Sequence, residues 1–266
     1  MPNSAIKKIA REALKNKFIH SMIVCSVLLF LFFTIILTAT LVADFSGNVG
    51  YFATLILLLV FVFCPLMLGV FNFFRRLLWE QNDNTLVIFK YFSNAKQYMR
   101  AIKFAVLQGG RYLVAAVVLY LPSAVVWMFS NEKVYSSLDL NLPIWSANLG
   151  TLNWMLIFIA TMLFVFITLK YYLSMFIFIS NDDIDIAEAI NMSNIISKRT
   201  GSDFFGLVLS FAVWIIISVL IFPLIFVLPY FITAYCVHCR SAIAAYNNDV
   251  DSFNSASTPS FSVDEI

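Results

Sequence analysis

The stretch Ile221–Arg240, IFPLIFVLPYFITAYCVHCR, decides how many helices the C-terminal third of this chain contains. It carries two prolines and ends in a cluster of two cysteines and one histidine. The apolar run around it extends from Phe204 to His238, which corresponds to about 52 Å of helix at roughly 1.5 Å per residue. A single helix of that length exceeds the roughly 30 Å of a bilayer's hydrocarbon core.

The position of Pro223 indicates where this run divides. Proline is well placed in the first turn of a helix and poorly placed in its interior. We therefore predict two helices, 204–220 and 222–246, with Pro229 kinking the second. One helix across the whole run is the alternative, and the choice decides on which side of a membrane the C-terminal tail lies.

The composition of the whole chain predicts a membrane protein. Of the 266 residues, 61% are hydrophobic and 12% are charged, whereas about a quarter of a soluble domain is charged. Because the bilayer core offers no water, each apolar run must satisfy its own backbone as a helix. We predict an all-α polytopic helix bundle with six transmembrane helices, or five as the alternative. The predicted spans are 18–43, 52–74, 104–129, 152–179, 204–220 and 222–246.

Lysine and arginine alternate between the breaks in this pattern. The N-terminal segment and residues 75–103 are rich in both, whereas residues 44–51 contain neither and residues 130–151 contain only Lys133. The positive-inside rule places the basic segments in the cytoplasm. With six spans, both termini are predicted on the cytoplasmic side of the cell membrane. With five, the tail would lie outside.

Three amphipathic cytoplasmic helices are predicted, at 4–17, 84–100 and 185–199, with Gly201 ending the third. In 84–100, aromatic residues alternate with basic ones. Both ends join membrane helices, so we expect an interfacial elbow and no nucleic-acid partner. Residues 1–246 then form a single membrane domain. The polar, serine-rich segment 247–266 is predicted to be disordered.

The first amphipathic helix predicts contact with the membrane surface. Its apolar and basic residues occupy opposite faces, so it is expected to lie on the bilayer and attract anionic lipid, at about 1 kcal/mol per basic residue. Alternatively, it only sets the topology. The predicted membrane-surface basic residues are Lys7, Lys8, Arg11, Lys15, Arg75 and Arg76.

Three polar residues fall inside or near predicted spans. A charge in the bilayer costs about 2.5–3.5 kcal/mol on insertion scales, so Lys170, Arg111 and Gln108 are candidates for an intramembrane polar pathway. Lys170 either faces the bundle interior or lies near the interface, with the apolar helix projecting past the membrane. For Arg111 we favour the cytoplasmic interface, which its long side chain can reach.

The Cys236, His238 and Cys239 cluster does not predict a metal site. A structural zinc ion needs about four converging ligands, and no second Cys/His cluster completes the shell. On a helix, His238 points about 100° away from Cys239. Familiar catalytic motifs are also absent from the sequence. We predict no catalytic residue, no metal and no cofactor, and therefore no enzyme.

Several stretches in the same order, including AREALKNKF, LGVFNFFRRLLW and VLPYFITAYCVHCR, carry a resemblance to a known family. They resemble an uncharacterised family of multi-pass membrane proteins in Gram-positive bacteria, related to domains of unknown function and to the membrane part of some glycerophosphodiesterases. The resemblance implies six spans with cytoplasmic termini and implies no activity. It also suggests that Lys170 belongs to a shared architectural element.

Three functions are compatible with the sequence. The first is a scaffold or accessory module of the bacterial cell envelope, bound to a membrane protein partner or to a second copy of itself. The alternative is a transporter or permease for a small amphiphile or lipid, with Lys170, Arg111 and Gln108 lining its path. The third is an enzyme acting on lipid headgroups. The absence of catalytic motifs favours the scaffold.

Overall fold

The structure is a computed structural model that describes residues 2–79, 84–130, 146–217 and 222–257. These residues form helices and turns without any strand, so the all-α prediction is confirmed. A π-helical turn, Leu59–Phe63, and a 3₁₀ helix, Thr85–Phe92, accompany the α-helices. The α-helices are α1 Asn3–Leu14, α2 Phe18–Leu58, α3 Cys64–Trp79, α4 Ala95–Ser130, α5 Ser146–Lys170, α6 Ser174–Ser180, α7 Ile186–Ile217 and α8 Phe222–Ser257.

The first apolar stretch folds back on itself at Gly47. This residue has φ 67° and ψ −164°, a left-handed conformation that glycine adopts without a steric penalty. The rings of Phe32 and Phe63, on either side of Gly47, have centroids 5.6 Å apart. In one straight helix these residues would lie about 46 Å apart, so α2 is an antiparallel hairpin. The reversal lies inside the predicted break at 44–51.

The second hairpin pairs α4 with α5. The Tyr120 hydroxyl lies 2.9 Å from the Thr161 hydroxyl, and the Tyr112 and Phe164 rings contact each other about two helical turns away. The predicted span 152–179 is not one continuous helix, because α5 ends at Lys170. A turn over residues 171–173 then leads into α6.

The third hairpin pairs α7 with α8. Phe211 contacts Tyr230 and Phe231 with ring centroids 5.1 and 5.4 Å apart, so the run contains two antiparallel helices rather than one bent helix. Pro223 lies in the first turn of α8.

Two predicted helix ends on this hairpin are wrong. Helix α7 continues through Gly201, because buried Ile196 and Phe204 on either side of it anchor α7 in the same core. Helix α8 continues through Ser257, although 247–257 was predicted to be disordered. Extending a helix that already exists is much easier than nucleating one. Residues 258–266 lie outside the described residues.

The predicted helix 84–100 is also wrong in part. The Asn84 side chain accepts a hydrogen bond from the Leu86 amide and starts the 3₁₀ helix. Asn94 then accepts one from the Lys96 amide, where α4 begins. The second asparagine cap therefore divides the predicted helix and joins its latter part to the following span.

Four stretches among the described residues are long and apolar enough to cross a membrane: Phe18–Trp79, Ala95–Phe129, Leu149–Ser180 and Leu224–Asn248. The six-span count is therefore not confirmed. The main hydrophobic core lies at the base of the hairpins, between α1, α3, α6, α7 and α8. The two longer hairpins expose large apolar side chains beyond it.

Candidate functional site

A cavity of about 890 Å³ lies between α1 and the α7–α8 hairpin. Its wall is mostly apolar and includes the aromatic rings of Phe18, Trp214 and Phe226. Trp214 and Phe226 keep about half of their surface exposed, at 54% and 52%. The cavity is therefore open along its aromatic side.

Helix α1 supplies the charged side chains of the cavity. Lys7, Arg11 and Lys15 line it together with one acid, Glu12, so the formal charge of these residues is 3 − 1 = +2. Arg11 and Lys15 are exposed, and among the described residues neither has an ion pair or side-chain hydrogen bond. Lys8 is exposed on the same helix and does not line the cavity.

The apolar face of α1, opposite its basic residues, packs against the rest of the protein. Ile6, Ala10 and Leu14 recur every four residues and are all buried in the main core. The expectation that this apolar face lies on the bilayer is therefore wrong. Packing against protein already removes these side chains from water, so contact with lipid would add no further hydrophobic stabilisation.

Lys7 anchors α1 to the third hairpin. Its Nζ donates a hydrogen bond of 3.1 Å to the Ser210 carbonyl oxygen and lies 4.6 Å from the centre of the Phe211 ring. The Tyr230 hydroxyl donates to the Lys7 carbonyl oxygen at 3.4 Å. After α1, Phe18 stacks on Phe226 with ring centroids 6.2 Å apart. These contacts hold α1 along the hairpin and close one side of the cavity.

Lys170 lies at the end of α5 with its side chain exposed. Its carbonyl oxygen accepts hydrogen bonds from the hydroxyls of Ser197, at 2.8 Å, and Ser193, at 3.3 Å. The last carbonyls of a helix lack partners within that helix, so these serines of α7 cap α5. Of the two predicted positions, the structure excludes the bundle interior.

The other two residues of the predicted polar pathway lie on α4. Arg111 is exposed, with its guanidinium carbon 5.8 Å from the centre of the Tyr171 ring, next to Lys170 in the chain. Gln108 is buried beside Tyr112. The structure therefore brings Arg111 close to the turn that follows Lys170, while Gln108 lies one helical turn away on the buried side.

The remaining predicted surface arginines are half-buried at the end of α3. Arg75 donates from Nε and Nη2 to the Asn72 Oδ1 atom, both at 3.3 Å. Arg76 is also half-buried and makes contacts of its own. Both residues therefore belong to the packed base of the molecule.

An ion-pair cluster that the sequence did not reveal lies nearby. Lys90 Nζ is 2.8 Å from the Asp182 carboxylate, and Arg100 is 3.6 Å from it. Arg100 also donates to the carbonyl oxygens of Asn181 and Ile184. Nothing in the local sequence around Asp182 indicates partners more than 80 residues away in the chain.

His238 and its neighbouring cysteines are buried inside the bundle. His238 Nε2 lies 3.0 Å from the Tyr172 hydroxyl, which is 2.8 Å from the Thr200 hydroxyl. The Phe204 ring stacks on Tyr172 at 4.1 Å. Among the described residues no three His, Cys, Asp or Glu side chains are grouped as metal ligands. His238 therefore joins α8 to the turn at 171–173 and, through Tyr172, to Thr200 of α7.

The aromatic wall of the cavity was not anticipated from the sequence. Phe18, Trp214 and Phe226 lie in uniformly apolar runs, where no period distinguishes a residue that faces a cavity from one that faces lipid. The basic residues of α1 were identified, but only as a membrane-facing surface. Their position beside the third hairpin depends on tertiary contacts.

The comparisons with known proteins give a family and no activity. The family described as "Protein of unknown function (DUF975)" matches residues 1–245. No curated protein and no solved structure matches the chain. The expected relation to glycerophosphodiesterases and the expected Gram-positive source stay predictions. The match covers nearly the whole chain, and the protein therefore belongs to the DUF975 family of proteins of unknown function.

Proposed function

We propose that this protein is a multi-pass, non-catalytic module of the cell membrane that serves as a scaffold or accessory subunit for another membrane protein. The observation that carries this proposal is the division between two apolar hairpins and a packed, charged base. Large side chains on the hairpins are exposed, and water would oppose this arrangement whereas lipid would accept it. Examples are Phe30 (76% exposed), Phe45 (93%), Val118 (64%) and Trp154 (72%).

The two long hairpins, 18–79 and 95–180, supply four crossings in this proposal, rather than the six predicted from the sequence. The contact between Phe18 and Phe226 supports the lower number. Phe18 begins the first crossing, whereas Phe226 lies in the second turn of α8, far from the base of the third hairpin. If α7 and α8 crossed completely, these rings would lie on opposite sides of roughly 30 Å of hydrocarbon. They are 6.2 Å apart.

The cations of α1 support the same topology. Lys7 contacts Ser210 in the apolar part of α7, so a complete crossing by α7 would carry Lys7 into the hydrocarbon. That position costs about 2.5–3.5 kcal/mol for each charge. The third hairpin therefore enters the cytoplasmic leaflet without crossing it.

Both termini lie in the cytoplasm in this arrangement. The ends of the two long hairpins that carry Arg75, Lys96 and Arg100 face inward, and the Gly47 reversal, which has no basic residue near it, faces outward. This orientation follows the positive-inside rule. It is the same for four crossings as for six.

The position of Lys170 favours a scaffold over a transporter. A transport path would need polar side chains directed into a cavity at the middle of the bilayer. Lys170 instead ends a helix, with its side chain exposed and its carbonyl capped by Ser197. Arg111 is exposed as well, and only Gln108 of the three is buried.

The topology can be tested with thiol labelling in intact cells and inverted vesicles. A short polar insertion containing one cysteine, placed between Val219 and Leu220, is expected to react with an impermeant maleimide only from the cytoplasmic side. Asn48→Cys is the control for the outer side and Lys96→Cys for the inner side. Reaction of the insertion from the same side as Asn48→Cys would refute four crossings.

The scaffold role can be tested by purifying the tagged, full-length protein from its native membranes in a mild detergent. We expect one membrane protein to co-purify in a fixed ratio. The opposite result would be a protein that purifies alone and moves an amphiphile across liposomes, with the flux abolished in Lys170→Ala. That combination would replace the scaffold with the transporter.

A further inference from the structure

We propose that the cavity between α1 and the α7–α8 hairpin binds one anionic phospholipid from the cytoplasmic leaflet. Its phosphate group contacts Arg11 and Lys15, and one acyl chain lies against the aromatic wall. This proposal goes beyond the scaffold role, because a lipid site requires no protein partner, and it rests on the proposed position of the third hairpin in the cytoplasmic leaflet.

The charge of the cavity selects an anion. Lys7, Arg11 and Lys15 face one carboxylate, Glu12, which leaves a formal charge of +2 (3 − 1). Lys7 is already engaged by the Ser210 carbonyl and the Phe211 ring. Arg11 and Lys15 are exposed and, among the described residues, have no charged partner. A guanidinium beside an ammonium suits a phosphate group, since arginine offers two parallel donors.

The wall of the cavity selects an apolar chain. Phe18, Trp214 and Phe226 line the cavity together with the cations, and its volume of about 890 Å³ falls within the usual range for ligand sites. A free phosphate ion would leave this wall exposed to water. A lipid fills both parts of the site at once, because its head is anionic and its tail is apolar.

The cavity is also accessible from the membrane. Trp214 and Phe226 are half-exposed on the apolar third hairpin, so an acyl chain can enter sideways without crossing a polar surface. Helix α1 is fixed by its buried face, Ile6, Ala10 and Leu14, and does not need to move. The site is therefore preorganised, which reduces the entropic cost of binding.

The test uses full-length protein in a neutral detergent and dioleoyl phosphatidylglycerol as the probe, with bound lipid measured by native mass spectrometry. We expect one lipid per protein. Arg11→Gln and Lys15→Gln should each weaken binding about tenfold or more, because each removes a hydrogen bond between charged groups, which contributes about 1.5 kcal/mol or more. Lys8→Gln removes the same charge from the same helix outside the cavity and should leave binding unchanged.

A second variant tests the apolar part. Val227 lines the cavity and is half-buried, so Val227→Phe fills space while keeping every cation. We expect weaker lipid binding with unchanged detergent stability. Unaltered binding in this variant would overturn the proposal.

Three further results would also overturn it. The first is an equal loss in Lys8→Gln, which would mean diffuse attraction to the whole helix. The second is equally tight binding of phosphatidylcholine, which would remove the charge requirement. The third is binding of glycerol 3-phosphate as tight as that of the lipid, which would mean that the apolar wall takes no part.

Discussion

Gly69→Ala should destabilise the protein, whereas the same substitution at a helical glycine that faces open space should not. Gly69 lies in α3 at the point where this helix meets the 3₁₀ helix. A Cβ at this position would lie 1.9 Å from the Ile88 carbonyl oxygen and 2.7 Å from its carbonyl carbon. Both are backbone atoms of a buried residue and cannot rotate away. The two helices must therefore separate by about 1.5 Å to reach an ordinary contact distance of roughly 3.4 Å.

The expected cost is about 2 kcal/mol. Overpacking of this kind costs typically about 1–3 kcal/mol, and the gain in helix propensity from glycine to alanine returns at most about 1 kcal/mol. The core around Ile88 also includes Tyr91 and Phe178, so the separation opens contacts beyond the substituted position. At about 2–4 °C per kcal/mol, the melting temperature should fall by roughly 4–8 °C.

A thiol-reactive fluorescent dye in a thermal ramp measures this change, because Cys25, Cys236 and Cys239 are buried and become reactive on unfolding. Gly110→Ala is the matched control. Beyond the backbone of its own helix and its chain neighbours, no described atom lies within 4 Å of its added Cβ, and it should leave the melting temperature unchanged or raise it slightly. If Gly69→Ala melts no lower than Gly110→Ala, the close approach of α3 to the 3₁₀ helix is refuted.

The same thermal assay tests three smaller effects. Ser197→Ala should lower the stability by about 1 kcal/mol, because it removes the hydrogen bond to the Lys170 carbonyl. Lys170→Ala changes only an exposed side chain and should lower the stability by less than about 0.5 kcal/mol. Equal losses in the two variants would contradict the capping role of Ser197. Asp182→Asn should cost less than about 1 kcal/mol, since the carboxylate is 53% exposed, and the loss should shrink at high salt. Tyr91→Phe should not destabilise the protein, because the buried hydroxyl has no hydrogen-bond partner among the described residues. Burial, with the Asp182 carboxylate adding to it, raises the pKa of the Tyr91 hydroxyl, so an alkaline absorbance titration of this variant should lack one of its late-ionising tyrosines.

Local sequence chemistry determined the helical class, the reversal near Gly47 and the division of the last run at Pro223. Hydrophobic runs of bilayer length can satisfy their backbones only as helices, and glycine and proline act on the residues next to them in the chain. These effects need no information from distant segments. The basic face of α1 could be identified for the same reason, because helical periodicity is a local property.

Tertiary packing alone decided the rest. Lys170 ends α5 because Ser197, which is distant in the chain, caps its carbonyl, and α7 passes through Gly201 because residues on both sides of it are buried in one core. The partner of the apolar face of α1 could not be predicted either, since lipid and protein remove a side chain from water equally well. Only the fold places α1 against the third hairpin. That contact brings the basic residues of α1 and three aromatic residues that are distant in the sequence together around one cavity.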